Sequence, residues 1–402
     1  MSNRTGERVR YWRIRRGLDR ATFASRVDRS PSWVKAIENG QRELTRLPLL
    51  ERVAQALGVT VEALTDPAEA ERATRAPDAA EIAAITGALE HYEVILGAPV
   101  NALEHPQSAN LAKRVNFLDE AFLASRFSSI GRDLPKLLIE AQRAAKEQPG
   151  AESIRVLVKV YRIASSTLLK LGADQTAWLA ADRAMVAAQT TDDLYTLARA
   201  TRSVSRAMTN LGRTEAALDA LLAMATQMQP EVATSTLEVA AMYGMVLLAA
   251  EIAAAKYGDA HTASAMHNEA SKVAQWRFAS DASDKETAFG PTNVDLHWVS
   301  SLVRLGRPDE AVQYAEGIDR AAVALLPRER RGTFGIDLAL AHHQLGRYAE
   351  AETVLLAAER IAPEEARCRP GSKTLIANLI NAPSRNPSTE MRALARRAGV
   401  QA

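Results

Sequence analysis

The sequence predicts an all-α chain in two parts: a small basic helical unit at the N-terminus and a long helical repeat behind it. Three observations predict this. Helix caps and stops follow one another at helix-sized intervals through residues 5–66. A turn glycine then recurs at Gly131, Gly172, Gly212, Gly258, Gly306 and Gly346, with spacings of 41, 40, 46, 48 and 40. From residue 80 onward there is almost no β-branched alternation and no hairpin signal.

The N-terminal elements follow in order. Gly17 ends a first helix, Thr5–Arg16. Asp19 caps a second, Arg20–Val27, because its carboxylate accepts the free amide protons of a helix start. Ser30 caps a third, with Pro31 at its first position, where a missing N–H costs nothing. Asn39-Gly40 ends that helix in a turn requiring positive φ. Leu47–Leu57 gives a fourth helix, closed by Gly58, and Val61–Leu64 a short fifth. The second and third, joined by about three residues, form a helix-turn-helix.

Positions Arg8, Arg13, Gly17, Leu18, Phe23, Ala24, Ser30, Val34, Ile37, Glu38, Gly40, Leu50, Ala54, Leu57, Gly58, Val59 and Leu64 carry a resemblance to the Cro/repressor-type helix-turn-helix family, also called the xenobiotic-response-element type. The resemblance implies double-stranded DNA as partner, with the third helix in the major groove. Arg20 takes a position where the family usually has Gln, and a cation there suits a phosphate contact. Ser30, Pro31, Ser32, Trp33, Lys35 and Ala36 form the groove-facing set, and Arg42 and Arg46 the phosphate clamps that follow. Bidentate amides are missing from this face. Ser32 makes single hydrogen bonds, Ala36 touches only a thymine methyl, and Lys35 reaches guanine or phosphate, so shape readout carries much of the specificity. Trp33 has two open roles, packing on sugar and methyl groups or covering the domain core. Arg13 and Glu38 match a family pair that ties the first helix to the third.

Charge supports the assignment. Residues 1–66 hold 13 Lys and Arg against 8 Asp and Glu, a net of +5, whereas the whole chain is +2. The positive field is concentrated on the small unit, as phosphate binding requires.

Residues 67–80 are charged, Ala-rich and carry two prolines without an apolar face, so they read as a linker. Residues 81–380 follow as the repeat domain, and 381–402 as a tail containing the basic amphipathic helix TEMRALARRAGV, which caps the repeats or joins a dimer. Five turn glycines have a small residue five positions on: Ala177, Ala217, Ala263, Ala311 and Ala351. The glycine makes the tight turn and the alanine lets paired helices approach. The unit GIDLALAHHQLGRYAEAETVLLAAERIAP resembles a tetratricopeptide repeat at Ala339, Gly346, Tyr348, Ala351, Ala358 and Pro363. The period exceeds the usual length of about 34 residues. The Gly131 unit has Lys136 where the alanine belongs. A plain helical bundle is the competing architecture to a tetratricopeptide-like α-solenoid.

A solenoid of this kind lines its concave side with the first helix of each repeat. Before Gly212 that stripe is Arg199, Arg202, Arg206 and Asn210, and before Gly172 it holds Lys159 and Arg162. A solvated charged face is the ordinary reading of any one of them. Five cations at equivalent positions point instead to an anion or carboxylate site. Asn293, within the long segment 276–299 where Gly290-Pro291-Thr292-Asn293 leads into a helix, joins this set. That segment's Trp276, Phe278 and Phe289 are either a lid over a ligand or simple packing.

Several classes are excluded. The single cysteine, Cys368, rules out internal disulfides and a cysteine metal cluster, and none of the seven histidines has a metal-ligand spacing. No signal peptide or run of 18 apolar residues occurs, so the expected location is the cytoplasm with no membrane span. P-loop, Rossmann, GxSxG and His-Glu-x-x-His motifs are absent, so neither an enzyme nor a cofactor is expected. In architecture the chain is similar to bacterial quorum-sensing regulators with peptide-binding repeats, and still closer to the helix-turn-helix plus tetratricopeptide regulators of actinobacteria. The resemblance implies a homodimeric transcription regulator whose repeats sense a peptide or small molecule. The alternative is a scaffold or antitoxin-like protein whose repeats hold a partner protein. A sensor requires inward-facing Arg199, Arg202 and Arg206 around a pocket, and a scaffold an open apolar groove.

Overall fold

Each N-terminal cap signal acts as its chemistry predicts in the computed structural model, which describes residues 4–15, 18–57, 59, 61–66, 79–91, 108–278, 286–382 and 386–400. Five helices result: α1 (Arg4–Arg15), α2 (Arg20–Arg26), α3 (Pro31–Glu38), α4 (Leu47–Leu57) and α5 (Val61–Thr65). The Thr22 N–H donates to Asp19 at 2.7 Å, and the Trp33 N–H to the Ser30 hydroxyl at 3.2 Å. Gly40 takes the expected positive φ of 75°. The stops expected at Gly17 and Gly58 lie outside the described residues, as does the expected linker from 67 to 78. Phe23, Val34, Val53 and Leu64 are fully buried at the centre of this unit. Each large apolar side chain so buried contributes about 1.5–3 kcal/mol.

The remaining described chain is helical throughout. It opens with α6 (Ala79–Leu89), α7 (Ser108–Leu123) and α8 (Phe127–Glu147). Five helix pairs follow: α9 (Ala151–Leu171) with α10 (Asp174–Ala188), α11 (Leu194–Asn210) with α12 (Thr214–Val232), α13 (Leu237–Tyr257) with α14 (Ala260–Arg277), α15 (Pro291–Arg304) with α16 (Pro308–Glu316), and, after a short α17 (Arg320–Leu325), α18 (Arg328–Gln344) with α19 (Tyr348–Ile361). The glycines at 172, 212, 258, 306 and 346 make these five turns, with φ between 72° and 88°. The alanines five positions on are each fully buried where the paired helices meet. The repeats are therefore tetratricopeptide-like hairpins.

Gly131 corrects the glycine series. It sits inside α8 rather than in a turn. Its reason is close approach: an added Cβ would stand 2.2 Å from Glu81 Cγ of α6.

Helix α13 is long and apolar enough to cross a membrane, but 78% of that window is buried. It packs against α11, α12, α14 and α15 as a central core helix. Phe278 and Phe289 are also core residues, their rings edge to face at 5.5 Å, while Trp276 stays exposed. Of the two readings of this segment, packing holds for both phenylalanines. Residues 279–285 lie outside the described residues.

The C-terminal helices α20 (Pro363–Cys368), α21 (Pro370–Ile380) and α22 (Thr389–Ala398) close the last repeat. Ser388 caps α22, Met391 and Leu394 are fully buried, and Arg397 pairs with Glu359 of α19 at 2.6 Å. The tail helix thus caps the repeats. The superhelix also brings its ends together. Lys170 of α9 pairs with Glu329 of α18 at 2.5 Å, 159 residues away, and with Glu365 of α20 at 2.7 Å.

Candidate nucleic-acid interface and cation-lined cavity

Helix α3 is held against α1 and α2 by one carboxylate. Glu38, buried, accepts from Arg13 Nε and from Arg13 Nη2 at 3.2 Å, and from Arg20 Nε at 2.8 Å. Arg13 Nη1 also donates to the Leu18 carbonyl at 2.6 Å. Burial opposes the charge on Glu38, but the two guanidiniums outweigh it and hold the carboxyl below its ordinary value. This network fixes which face of α3 points outward. Ser30, Pro31, Ser32 and Lys35 are exposed on that face, Ala36 is half-buried beside them, and Arg42 and Arg46 are exposed just beyond.

Two of the nine expected DNA-face residues are placed differently from the rest. Trp33 is buried in the core of the unit, with the Arg29 guanidinium 5.9 Å from its ring centre, so it covers the core instead of standing in the groove face. Arg20 spends its Nε on Glu38, although its side chain is still 40% exposed. Sequence spacing showed Arg20 at the helix start but not the carboxylate it meets.

In the repeat domain, the first helices of the five pairs line an interior cavity of about 180 Å³. Its basic walls are Lys170 on α9, Arg202 and Arg206 on α11, Lys256 on α13, Arg304 on α15, and Arg330 on α18, with Arg369 nearby. Leu221, Leu248 and Ile252 supply an apolar side. A second cavity of about 40 Å³ shares Arg202, Arg206 and Arg330 and reaches Arg199, Arg162 and Glu286.

The expected five-cation cluster divides into two groups. Lys159, Arg162 and Arg199 are paired within the protein. Arg162 and Lys159 meet Asp119 of α7, and Lys159 and Arg199 meet Glu286, at 2.5 and 2.8 Å. Arg199 also lies over the Tyr195 ring at 4.8 Å. Asp119 and Glu286 were not singled out by sequence reasoning, since each is 40 or more residues from its partner.

Arg202 and Arg206 form the second group. Arg202 Nε donates to the Met245 carbonyl at 3.2 Å, and Arg206 Nη1 to Ser166 Oγ at 3.4 Å. Neither has a carboxylate within ion-pair distance among the described residues. Burial and the cations around it, first Arg206 and then Arg330, push Arg202 well below its ordinary pKa. Burial, then Arg330, push Arg206 down to about 10. Of the other wall cations, Lys170, Arg304, Arg330 and Arg369 have Glu329, Glu365 and Asp337 as partners, while Lys256 meets the Asn210 amide oxygen.

Asn210 lines the same cavity, donating to Asp174 at 3.3 Å and accepting from Lys256 at 3.2 Å. Asn293 is fully buried one turn before His297, and neither atom of its amide has a partner. Burial, with Arg330 nearby, pushes His297 down to about 3, so its ring is neutral. His297 Nδ1 then donates to the Asn293 carbonyl at 2.8 Å, which leaves Nε2 as an acceptor.

Comparison with known proteins agrees with the N-terminal geometry. Residues 4–68 match the family described as a helix-turn-helix domain. No curated protein matches the chain. Among solved structures, Bacillus thuringiensis PlcR in complex with the peptide PapR7 and DNA is similar at 12% identity, over 90% of this chain and 94% of that one, with a TM-score of 0.27. The chain carries a helix-turn-helix domain at residues 4–68, followed by tetratricopeptide-like repeats.

Proposed function

We propose that this chain is a cytoplasmic, homodimeric transcription regulator whose repeat domain senses an anionic ligand. The observation that carries the sensor reading is the pair Arg202 and Arg206: two guanidiniums recessed in one cavity, repelling each other, with no carboxylate within ion-pair distance among the described residues. An open apolar groove would have favoured a scaffold. Residues 1–66 act as the DNA-binding domain, 67–80 as linker, 81–380 as sensor and 381–402 as the capping tail. Ser32, Lys35 and Ala36 face base edges, and Arg42 and Arg46 face phosphates. Dimerisation follows from the small footprint of one helix-turn-helix, since paired half-sites multiply its affinity.

Fluorescence anisotropy with promoter fragments tests the reading. A chain lacking residues 1–66 loses duplex affinity and stays helical by circular dichroism; retained specific binding would overturn the assignment. Arg46→Ala weakens binding on all sequences alike and lowers the salt slope by about one phosphate contact. Lys35→Ala changes base preference. Light scattering of the full chain reports the dimer.

A further inference from the structure

We propose that the cavity between α9, α11, α13, α15 and α18 binds a small phosphate ester, a dianion or trianion, with Arg202, Arg206 and Lys256 as its counter-cations. This rests on the anion-sensing reading and names its ligand class.

Charge decides first. Arg202, Arg206 and Lys256 all lack a carboxylate within ion-pair distance among the described residues, and Lys256 meets only the Asn210 amide oxygen. Arg330 stands beside them with its charge shared with Glu329 at 3.3 Å. A single carboxylate, such as a peptide terminus, would leave most of this excess in place. A phosphate monoester or a diphosphate would neutralise it.

Shape decides second. A carboxylate is planar, and one or two cations pair with it, as Arg199 and Lys159 do with Glu286. In the larger cavity Arg202, Arg206, Lys256 and Arg330 come from three different helices, α11, α13 and α18, around one space. That arrangement suits the tetrahedral oxygens of a phosphoryl group, which accept from several directions and match the guanidinium fork.

Size decides third. The cavity of about 180 Å³ lies below the roughly 300–1,000 Å³ of pockets for drug-sized ligands, which suits a compact metabolite.

The other walls argue for an ester over free phosphate. His297 is neutral with Nε2 as an acceptor, open to a hydroxyl donor on the ligand. Leu221, Leu248 and Ile252 offer a surface for a carbon skeleton.

Isothermal titration of the full chain with sn-glycerol 3-phosphate, inorganic phosphate, pyrophosphate and succinate tests the proposal. Glycerol 3-phosphate is expected to bind saturably, about tenfold or more tighter than inorganic phosphate. Arg202→Gln and Arg206→Gln should each weaken it by about tenfold or more, the usual loss of a charged hydrogen bond. Arg206→Lys should restore part of the affinity, which a merely structural defect would not allow. Equal binding of inorganic phosphate and the ester would overturn the ester and leave free phosphate as ligand. Succinate binding without any phosphate binding would overturn the phosphoryl class while the anion sensor stood. Absence of saturable binding by every phosphate probe would overturn the proposal. DNA affinity is read in the same samples, so ligand binding with no effect on it would keep the site and remove the sensor role.

Discussion

Arg199 Nη1 lies 2.8 Å from Glu286 Oε1, and Lys159 Nζ reaches the same oxygen at 2.5 Å. One carboxylate from the segment before α15 thus joins the first helices of two successive repeats. It also completes the wall of the smaller cavity. The protein itself supplies the anion that Arg199 requires, and the unmet demand moves one and two turns along α11 to Arg202 and Arg206.

Glu286→Gln should therefore destabilise the repeat domain. Arg199 is only 6% exposed, so removing its partner leaves a buried, uncompensated cation, at a cost of about 2–3 kcal/mol after discounting for the partial exposure of Glu286. Burial raises the carboxyl's pKa, but Arg199 and Lys159 outweigh it and hold it well below the ordinary 4.5. A depressed carboxylate contributes stability in full above its unfolded value, and the contribution is lost as pH falls below about 4.5 toward the folded value. Urea titrations from pH 7 to 3 should show this acid loss in the parent and a shallower one in Glu286→Gln. Parallel curves would show the pair to be energetically silent.

Gly244→Ala should be damaging although it adds one methyl group. The Phe289 ring rests on the bare face of α13 there, and an added Cβ would stand 2.1 Å from Phe289 Cζ. Both residues are buried, so the ring has nowhere to retreat, and overpacking of this kind costs about 1–3 kcal/mol. Phe289→Leu in the same chain should recover part of the loss. Additive effects of the two substitutions in thermal melts would count against direct contact.

The hairpins were legible because their signals are local. A glycine at positive φ and an alanine five residues later lie within six residues of sequence, and all five such pairs form. Gly131 misled because close approach to Glu81 and a tight turn leave the same residue in the sequence. The stripe from Arg199 to Asn210 was legible from helical period alone. Its division into paired and unpaired cations was not, because Glu286 is 87 residues from Arg199. Trp33 could not be placed from sequence either, since the same helix position serves core and groove until the packing of α1 is known. Arg330 and Arg304 were missed because charged residues near a helix start or end usually face solvent.

Arg13→Ala should destabilise the helix-turn-helix unit far more than Arg20→Ala. Arg13 is buried and bridges Glu38 and the Leu18 carbonyl, and its loss leaves the buried Glu38 with only the half-exposed Arg20, for about 2–3 kcal/mol. Arg20 is more exposed and leaves Glu38 with one partner, so about 1 kcal/mol or less is expected. Hydrogen exchange across residues 4–66 of the full chain measures both locally. Equal protection in the two variants would show that Glu38 depends on neither arginine in particular.

Arg206→Gln should leave the unliganded protein as stable as its parent or more so, the reverse of the usual result for a recessed arginine. Arg206 has one long hydrogen bond, to Ser166 at 3.4 Å, and faces Arg202 and Arg330 in the same cavity. Burial and Arg330 lower its pKa to about 10, so folding works against its charge. For a base with a depressed folded pKa, the penalty is present in full below about 10 and fades as pH rises toward the unfolded value of 12.5. At pH 7 a neutral amide removes that penalty, and like-charge repulsion with Arg202 falls with it. The expected gain is about 1 kcal/mol, read as a higher urea midpoint at unchanged slope. Added salt should narrow the difference, because screening weakens the repulsion that the substitution relieves. A loss of 2 kcal/mol or so would mean that Arg206 packs or bonds in the unliganded fold more than its one contact shows, and that its charge is satisfied without a ligand.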